Sequence, residues 1–414
     1  MKISEKQLLY NLYGFMRKQA VDCIINEESQ WEEYLSLAHA HKVLPMVYDS
    51  MGYSGMIEAH PLKFRGMWKS IAFQEMALQI QSTATFLKFY EKLLEEDMKC
   101  LVVKGIVCRS LYLNPDARIS GDEDLFLSGK DFAKFRKIAV EFGFVAVNED
   151  EREWAFFHKD SGLKLEVHMK LFDDHSRTYA DFNLPFEDSM ENAVLYDVHG
   201  VKIWTMNETD HMLYLILHSF KHLLHSGVGI RQICDMIIYA EHFGDRISWK
   251  HIFHELRAVN ADVWFMNLLD IGKRYFGFSY KKAGISPKVR ELYQEEMDSK
   301  PLLEDIIKSG VYGTSSQSRT HSSLITLNAV AAAKEHKSTK GSVLRTIFPS
   351  KRHMENEFSF VKRFGFLLPI AWMGRILRYG VEIFTKDKNI SNSARESIQI
   401  GNKRVELLRK YKVI

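Results

Sequence analysis

Residues 100–127, CLVVKGIVCRSLYLNPDARISGDEDLFL, decide the fold. Cys100–Gly105 is a short apolar run, partly β-branched and closed by glycine, and it reads as a strand. Ile106–Leu113 fits a short helix, and Asn114, Pro115 and Asp116 form a turn. In the RISGDEDLFLS that follows, period two places Asp122, Asp124 and Phe126 on one face of a strand, with Leu125 and Leu127 on the other. The two carboxylates then point the same way, roughly 6.5 Å apart at the Cα level, close enough to share one hard divalent ion. Mg²⁺ is the natural candidate, with Mn²⁺ as its substitute. An Asp-x-Asp occurs about once by chance in a chain of this length, so its weight comes from its neighbours.

Those neighbours carry charge. Lys104 ends the first strand, and Arg118 lies four residues before Asp122. Downstream, residues 131–142 have helical spacing, Trp154–His158 reads as a strand, and period two is clean in KLEVHMKLF, residues 164–172. There Lys164, Glu166 and His168 face one side, with Leu165, Val167 and Met169 on the other. Three carboxylates (Asp122, Asp124, Glu166) and two cations (Lys104, Arg118) converge within an α+β unit of about 110 residues, a small mixed β-sheet core.

Helices bracket this unit. In the first hundred residues apolar positions recur three and four apart, as in Met76, Ile80, Thr83, Leu87, Tyr90 and Leu94, with breaks at Pro45, Gly52–Gly55 and Pro61. Three or four helices are expected there, beginning with MKISEKQLLYNLYGFMRKQA, which lacks the apolar run of a signal peptide. Asn207, with Asp210, resembles a helix amino-terminal cap, after which the 3.6 period resumes through HMLYLILHSFKHLLH and IRQICDMIIYAEHF. Residues 311–323 and 334–342 are poor in apolar side chains and read as loops or linkers. The expected organisation is a helical region 1–98, an α+β core 99–205, a helical domain 206–310, and a linker with a helical carboxyl-terminal region 311–414.

Composition narrows the class. The 414 residues carry 56 Lys and Arg against 53 Asp and Glu, a formal charge of +3, well short of a dedicated nucleic-acid binder. Four cysteines, none in a CxxC pair, give no disulfide framework and fit a reducing cytoplasm. The most apolar stretch, Phe364–Gly374, contains Pro369 and falls short of the roughly 20 residues that span a bilayer, so no transmembrane segment is expected.

Acids and cations so grouped suit phosphoryl or nucleotidyl transfer, where positioning and charge neutralisation supply most of the catalysis. Asp122 and Asp124 would hold Mg²⁺ against a triphosphate. Glu166 would complete a second metal site or accept the proton of the attacking hydroxyl, and Lys104 and Arg118 would face the phosphates. The same residues, with LKLEVHMKLF and LHSFKHLLHSGVGIRQICDMIIY after them, resemble the uncharacterised nucleotidyltransferase family of bacteria, within the polymerase-β-type superfamily. The matching positions are Lys104, Gly105, Arg118, Gly121, Asp122, Asp124, Glu166 and His168, and weaker likeness reaches WEEYLSLAHAHKVLPMVYDSM and FPSKRHMENEF. The resemblance implies a nucleotidyltransferase fold and metal-dependent transfer of a nucleoside monophosphate. ATP is the expected donor, pyrophosphate the leaving group, and the hydroxyl of a small molecule, sugar or protein the acceptor. Lys104, Gly105, Arg118 and Gly121 would contact the nucleotide. Two positions depart from the superfamily: Lys-Gly replaces Gly-Ser or Gly-Gly, and Glu123 stands where an apolar residue is usual. Glu123 is read either as extra negative charge near the metal or as the exposed start of a strand.

Two other readings compete. A non-catalytic nucleotide-binding or scaffold protein could retain the fold, although nothing would then keep three mutually repelling acids together. Alternatively, His218, His222 and His225, at i, i+4 and i+7 of one helix with His211 a further seven residues back, could hold zinc, or could pack behind the strands. Arg231 and Asp235, four apart, read as a helix-surface ion pair. Residues 351–388 mix aromatics with Lys362, Arg363, Arg375 and Arg378 and read as a core helix with a basic outer face, in preference to a membrane-surface segment.

Overall fold

The computed structural model describes residues 1–59, 61–150, 153–310, 317–335, 351, 354, 358–374 and 389–414. Five amino-terminal helices come first: α1 (Ile3–Arg17), α2 (Glu28–Ala40), α3 (Leu44–Tyr53), the short α4 (Met56–Ala59) and the long α5 (Leu62–Glu95). Pro45 lies in the first turn of α3 rather than in a break, where its missing N–H costs nothing. The α5 stripe is rotated slightly from the apolar pattern, so that Gln79 is buried and Ile80 is 51% exposed. Gln79 is drawn inward because its Oε1 accepts the Ser120 N–H at 2.6 Å.

The α+β core follows as expected, with more strands than periodicity alone indicates. Its elements are β1 (Leu101–Val103), α6 (Gly105–Arg109), β2 (Glu123–Phe126), α7 (Phe132–Phe142), β3 (Phe144–Asp150), β4 (Glu153–His158), β5 (Leu163–His168), β6 (Val194–Val198) and β7 (Val201–Thr205). They form one seven-stranded mixed sheet in the order β3-β4-β5-β2-β1-β7-β6. β2 lies at its centre, parallel to β5 and antiparallel to β1. One face is covered by aromatic packing from α5 and α7, with Phe135 against Phe156 at 5.6 Å and Phe89 against Phe144 at 4.8 Å. The sparse β1–β7 pairing is clamped by Tyr90, whose hydroxyl donates to Cys100 O at 2.5 Å and accepts the Trp204 N–H at 2.9 Å.

Beyond the sheet come α8 (Glu208–His225), α9 (Ile230–Phe243), α10 (Trp249–Ala258), α11 (Asp262–Phe276), α12 (Pro287–Glu291) and α13 (Lys300–Ser309). Asn207 caps α8 as expected, its side chain accepting the Thr209 and Asp210 N–H groups, an arrangement worth about 1 kcal/mol. Residues 317–323 are not linker: they open α14 (Gln317–Lys334). Its buried face is built from Ser322, Thr326 and Ala329, too small and polar to register as a helical stripe. Thr326 bonds Leu224 O at 2.8 Å, and Arg319 pairs with Asp305 at 2.6 Å. Residues 311–316 and 336–342 lie outside the described residues, as do Arg375 and Arg378. Residues 358–374 do not join the main core as the basic-faced helix expected. Val361 and Ala371 bury against Met354 in a small cluster of their own, with Phe366 78% exposed. No helix among the described residues is long and apolar enough to cross a membrane.

His41, after α2, ties this helical layer to α13 by donating from Nε2 to Ile307 O at 3.1 Å. Burial holds its imidazole down to about 4, while an unfolded histidine titrates near 6.5. Between those values the unfolded chain binds more protons than the folded one, so stability falls as pH drops through that window, by about 3 kcal/mol in total. Urea unfolding at pH 7 and pH 4.5 should show a smaller loss for His41→Gln than for the wild type.

Candidate functional site

The strand β1 ends in a sharp bend into α6, and Lys104 sits on it with φ 57° and ψ −122°, a conformation that costs a non-glycine residue about 1–3 kcal/mol. Three groups in series hold it there. The Thr205 hydroxyl donates to Val102 O at 2.7 Å and accepts from His211 Nδ1 at 3.3 Å, leaving His211 Nε2 to accept the Lys104 N–H at 2.9 Å. This needs a neutral imidazole, and burial, reinforced by the Lys104 charge, lowers His211 to about 3.

Gly105 follows with φ +27°, and a Cβ there would lie 2.0 Å from Glu123 Oε2. That carboxylate is neither exposed nor part of the acidic group around Asp124: Glu123 is 2% exposed. It accepts the Ile106 N–H at 2.7 Å and pairs with Arg109 at 2.8 Å, because it shares the inward face of β2 with Leu125 and Leu127. Arg109 continues to Ser120 Oγ at 2.7 Å and Thr83 at 3.1 Å. Both reading options for Glu123 are therefore corrected to a buried structural ion pair.

Residues 118–121 form a loop anchored on several sides. Arg118 makes a bidentate pair with Asp235 of α9, and its third arm reaches Ser120 Oγ at 2.6 Å. Tyr112 donates to the same Asp235 at 2.8 Å. Arg231 donates to Ile119 O. Arg231 and Asp235 are thus not partners on a helix surface. Both are buried, because the side of α9 that carries them packs against Tyr112 and the 118–121 loop. Gly121 is exposed, and a Cβ there would meet no atom within 4 Å.

Asp124 lies at the junction of these parts. The parallel β2–β5 register sets it beside Glu166 and sets Phe126 beside His168, as period two requires. Lys104 Nζ lies 2.9 Å from one Asp124 oxygen, and His168 Nε2 lies 3.3 Å from the other. Burial opposes ionisation of Asp124, yet Lys104 and His168 hold its carboxyl below the usual carboxylate range. Lys164 pairs with Glu166 and, with Lys104, lowers it against burial and Asp124. Asp122 precedes β2 rather than lying within it. Burial, then the Asp124 and Glu166 charges, push its carboxyl up to about 7. With Asp122 ionised, three acids face two lysines, so the group then has one negative charge too many, and a cation fits it.

Among the described residues, the one set of three ligating side chains close enough to share an ion is Asp124, Glu166 and His168, whose donor atoms all lie within 4.8 Å of one another. His168 was placed by period two on the Glu166 side, but was not counted as a ligand. Asp124 also lines a narrow cleft together with Lys104, Arg118, Gly121, Asp122, His218 and Arg231, among others. The four candidates for nucleotide contact, Lys104, Gly105, Arg118 and Gly121, all line this cleft, whereas Glu166 and His168 do not. Among the described residues, His218 and His222 have no third side chain with which to form a zinc set. Their Nε2 atoms lie 2.9 Å apart, and His218 Nε2 is 3.2 Å from Lys104 Nζ. Burial, then Lys104 for His218 and Lys221 for His222, keeps both far below the ordinary histidine range. His225 turns away toward Tyr179.

The sequence model of an uncharacterised nucleotidyltransferase family matches residues 27–277, which holds the whole sheet and the cleft. The chain belongs to that family. No curated protein and no solved structure matches it. Membership supports a general nucleotidyl-transfer role for the α+β nucleotidyltransferase core.

Removing one member of a buried ion pair costs about 3–5 kcal/mol, because the other charge is left uncompensated. Glu123→Ala should therefore lower the urea midpoint strongly, and adding Arg109→Leu should recover part of the loss. Equal loss in the single and double variants would refute the pairing as the cause.

Proposed function

We propose that the protein is a metal-dependent nucleotidyltransferase that moves a nucleoside monophosphate from an NTP, with ATP as the expected donor, to an acceptor hydroxyl. One observation carries this reading: Asp122 and Asp124 form the wall of a cleft that also presents Lys104, Arg118 and Arg231, within a family-assigned transferase core. Asp122, Asp124 and Glu166 would hold Mg²⁺, which when bound supplies charge neutralisation at the triphosphate. The rest falls to the chain itself. Lys104 can exchange its Asp124 partner for a phosphate oxygen, since its ammonium lies at the cleft mouth with its backbone fixed by His211. Arg118 is already committed to Asp235, so it shapes the loop rather than offering a fresh bidentate grip. Gly121 leaves its backbone open for close approach of a phosphate. Glu166, held by Lys164, either shares the cation or accepts the proton of the attacking hydroxyl.

Calorimetric titration of ATP, GTP, CTP and UTP, each with and without Mg²⁺, tests this. One nucleotide is expected to bind only with Mg²⁺, and an Asp122→Asn, Asp124→Asn double variant that remains folded is expected to lose that binding. If no nucleotide binds, or the variant binds equally well, the non-catalytic scaffold reading takes its place.

A further inference from the structure

We propose that His168 is a direct ligand of the ion at this site, and that the site consequently prefers a manganese-class ion to Mg²⁺. The inference rests on the metal-dependent reading above and deepens it. The closest ligand set is not the aspartate pair picked out by the sequence motif but Asp124, Glu166 and His168. Asp122 stands outside it. The three side chains come from two central strands in fixed parallel register, Asp124 beside Glu166 and Phe126 beside His168, so the backbone and not a loop sets their spacing. Donors bound to one ion at about 2.0–2.2 Å lie roughly 3–4.4 Å apart, and the His168 Nε2 to Asp124 Oδ1 distance of 3.3 Å already falls in that range. Small side-chain adjustments within the 4.8 Å cluster complete the set.

The donor chemistry then discriminates between ions. Mg²⁺ is hard, seeks oxygen and sheds water reluctantly, so an imidazole nitrogen contributes little to its binding. Mn²⁺ accepts carboxylate oxygen and imidazole nitrogen together and binds a mixed site more tightly. Two carboxylates and one imidazole also leave coordination positions open for triphosphate oxygens, and Asp124 belongs both to this set and to the cleft lining. The plainer alternative is that His168 only donates a hydrogen bond to Asp124 and orients it.

Electron paramagnetic resonance of Mn²⁺ added to the full-length protein separates the two. Wild type should bind one Mn²⁺ and show ¹⁴N modulation from a coordinated imidazole, which should change frequency when the protein is made with ¹⁵N-histidine. His168→Gln should abolish that modulation and weaken Mn²⁺ binding about tenfold or more, while changing Mg²⁺ competition far less. Because the isotope comparison uses wild type alone, a poorly folded variant does not decide the matter. Mn²⁺ that binds wild type, is lost in Asp124→Asn and shows no nitrogen coupling overturns the ligand role of His168 and leaves the transferase reading intact. Mn²⁺ that does not bind at all overturns both. Equal displacement of Mn²⁺ by Mg²⁺ in wild type and His168→Gln overturns the ion preference.

Discussion

Glu123 sits where β2 passes beneath the bend at Lys104 and Gly105, and its carboxylate fixes that bend by taking the Ile106 N–H and the Arg109 guanidinium together. The approach is so close that no side chain fits at position 105. From this contact the rest of the site follows. The bend directs Lys104 Nζ onto Asp124, and Arg109 reaches on to Ser120 in the loop that carries Arg118 and Gly121. An ion pair that never meets the ligand thus sets where the cleft's charges stand. Buried pairs add little net stability over apolar packing, but they tolerate few alternative geometries.

Charge is sorted by depth in the same way. Arg109 with Glu123 and Arg118 with Asp235 are neutralised inside the protein. The acids and lysines of the site, Asp122, Asp124 and Glu166 with Lys104 and Lys164, are less deeply buried apart from Asp124, and are not balanced once Asp122 is ionised; that imbalance marks where binding is to be sought. The four ions of the buried pairs resemble the functional ones in composition, yet their work is architectural.

The strands that carry Asp124 and Glu166 were legible in the sequence because alternation is a local property: period two put Glu166 and His168 on one face, and the register of the sheet then brought that face to Asp124. The Asn207 cap was legible for the same reason, its partners being two and three residues away. Pairings across long separations were not. Asp235 could be matched with Arg231 on its own helix, but not with Arg118, 117 residues earlier. A usable signal was present for Glu123, which alternates with Leu125 and Leu127 and so belongs to the core face. None was present for Arg231 and Asp235, which share one side of α9 with the exposed His242. Ser322 and Thr326 of α14 offered no such signal, since small polar residues serve buried helices and loops alike.

Completion of the cleft also has an order in time. The Lys104 bend depends on His211, 107 residues downstream, and the Arg118 loop depends on Asp235, further still. During synthesis from the amino terminus, β1 and β2 therefore emerge with their cations and acids well before the groups that hold them in place. Until α8 has been made, the Glu123 contacts alone favour the strained backbone of Lys104. The nascent chain consequently carries the charged residues of the cleft without its geometry, and any nucleotide grip appears late and in one step, when the helical half docks on the sheet.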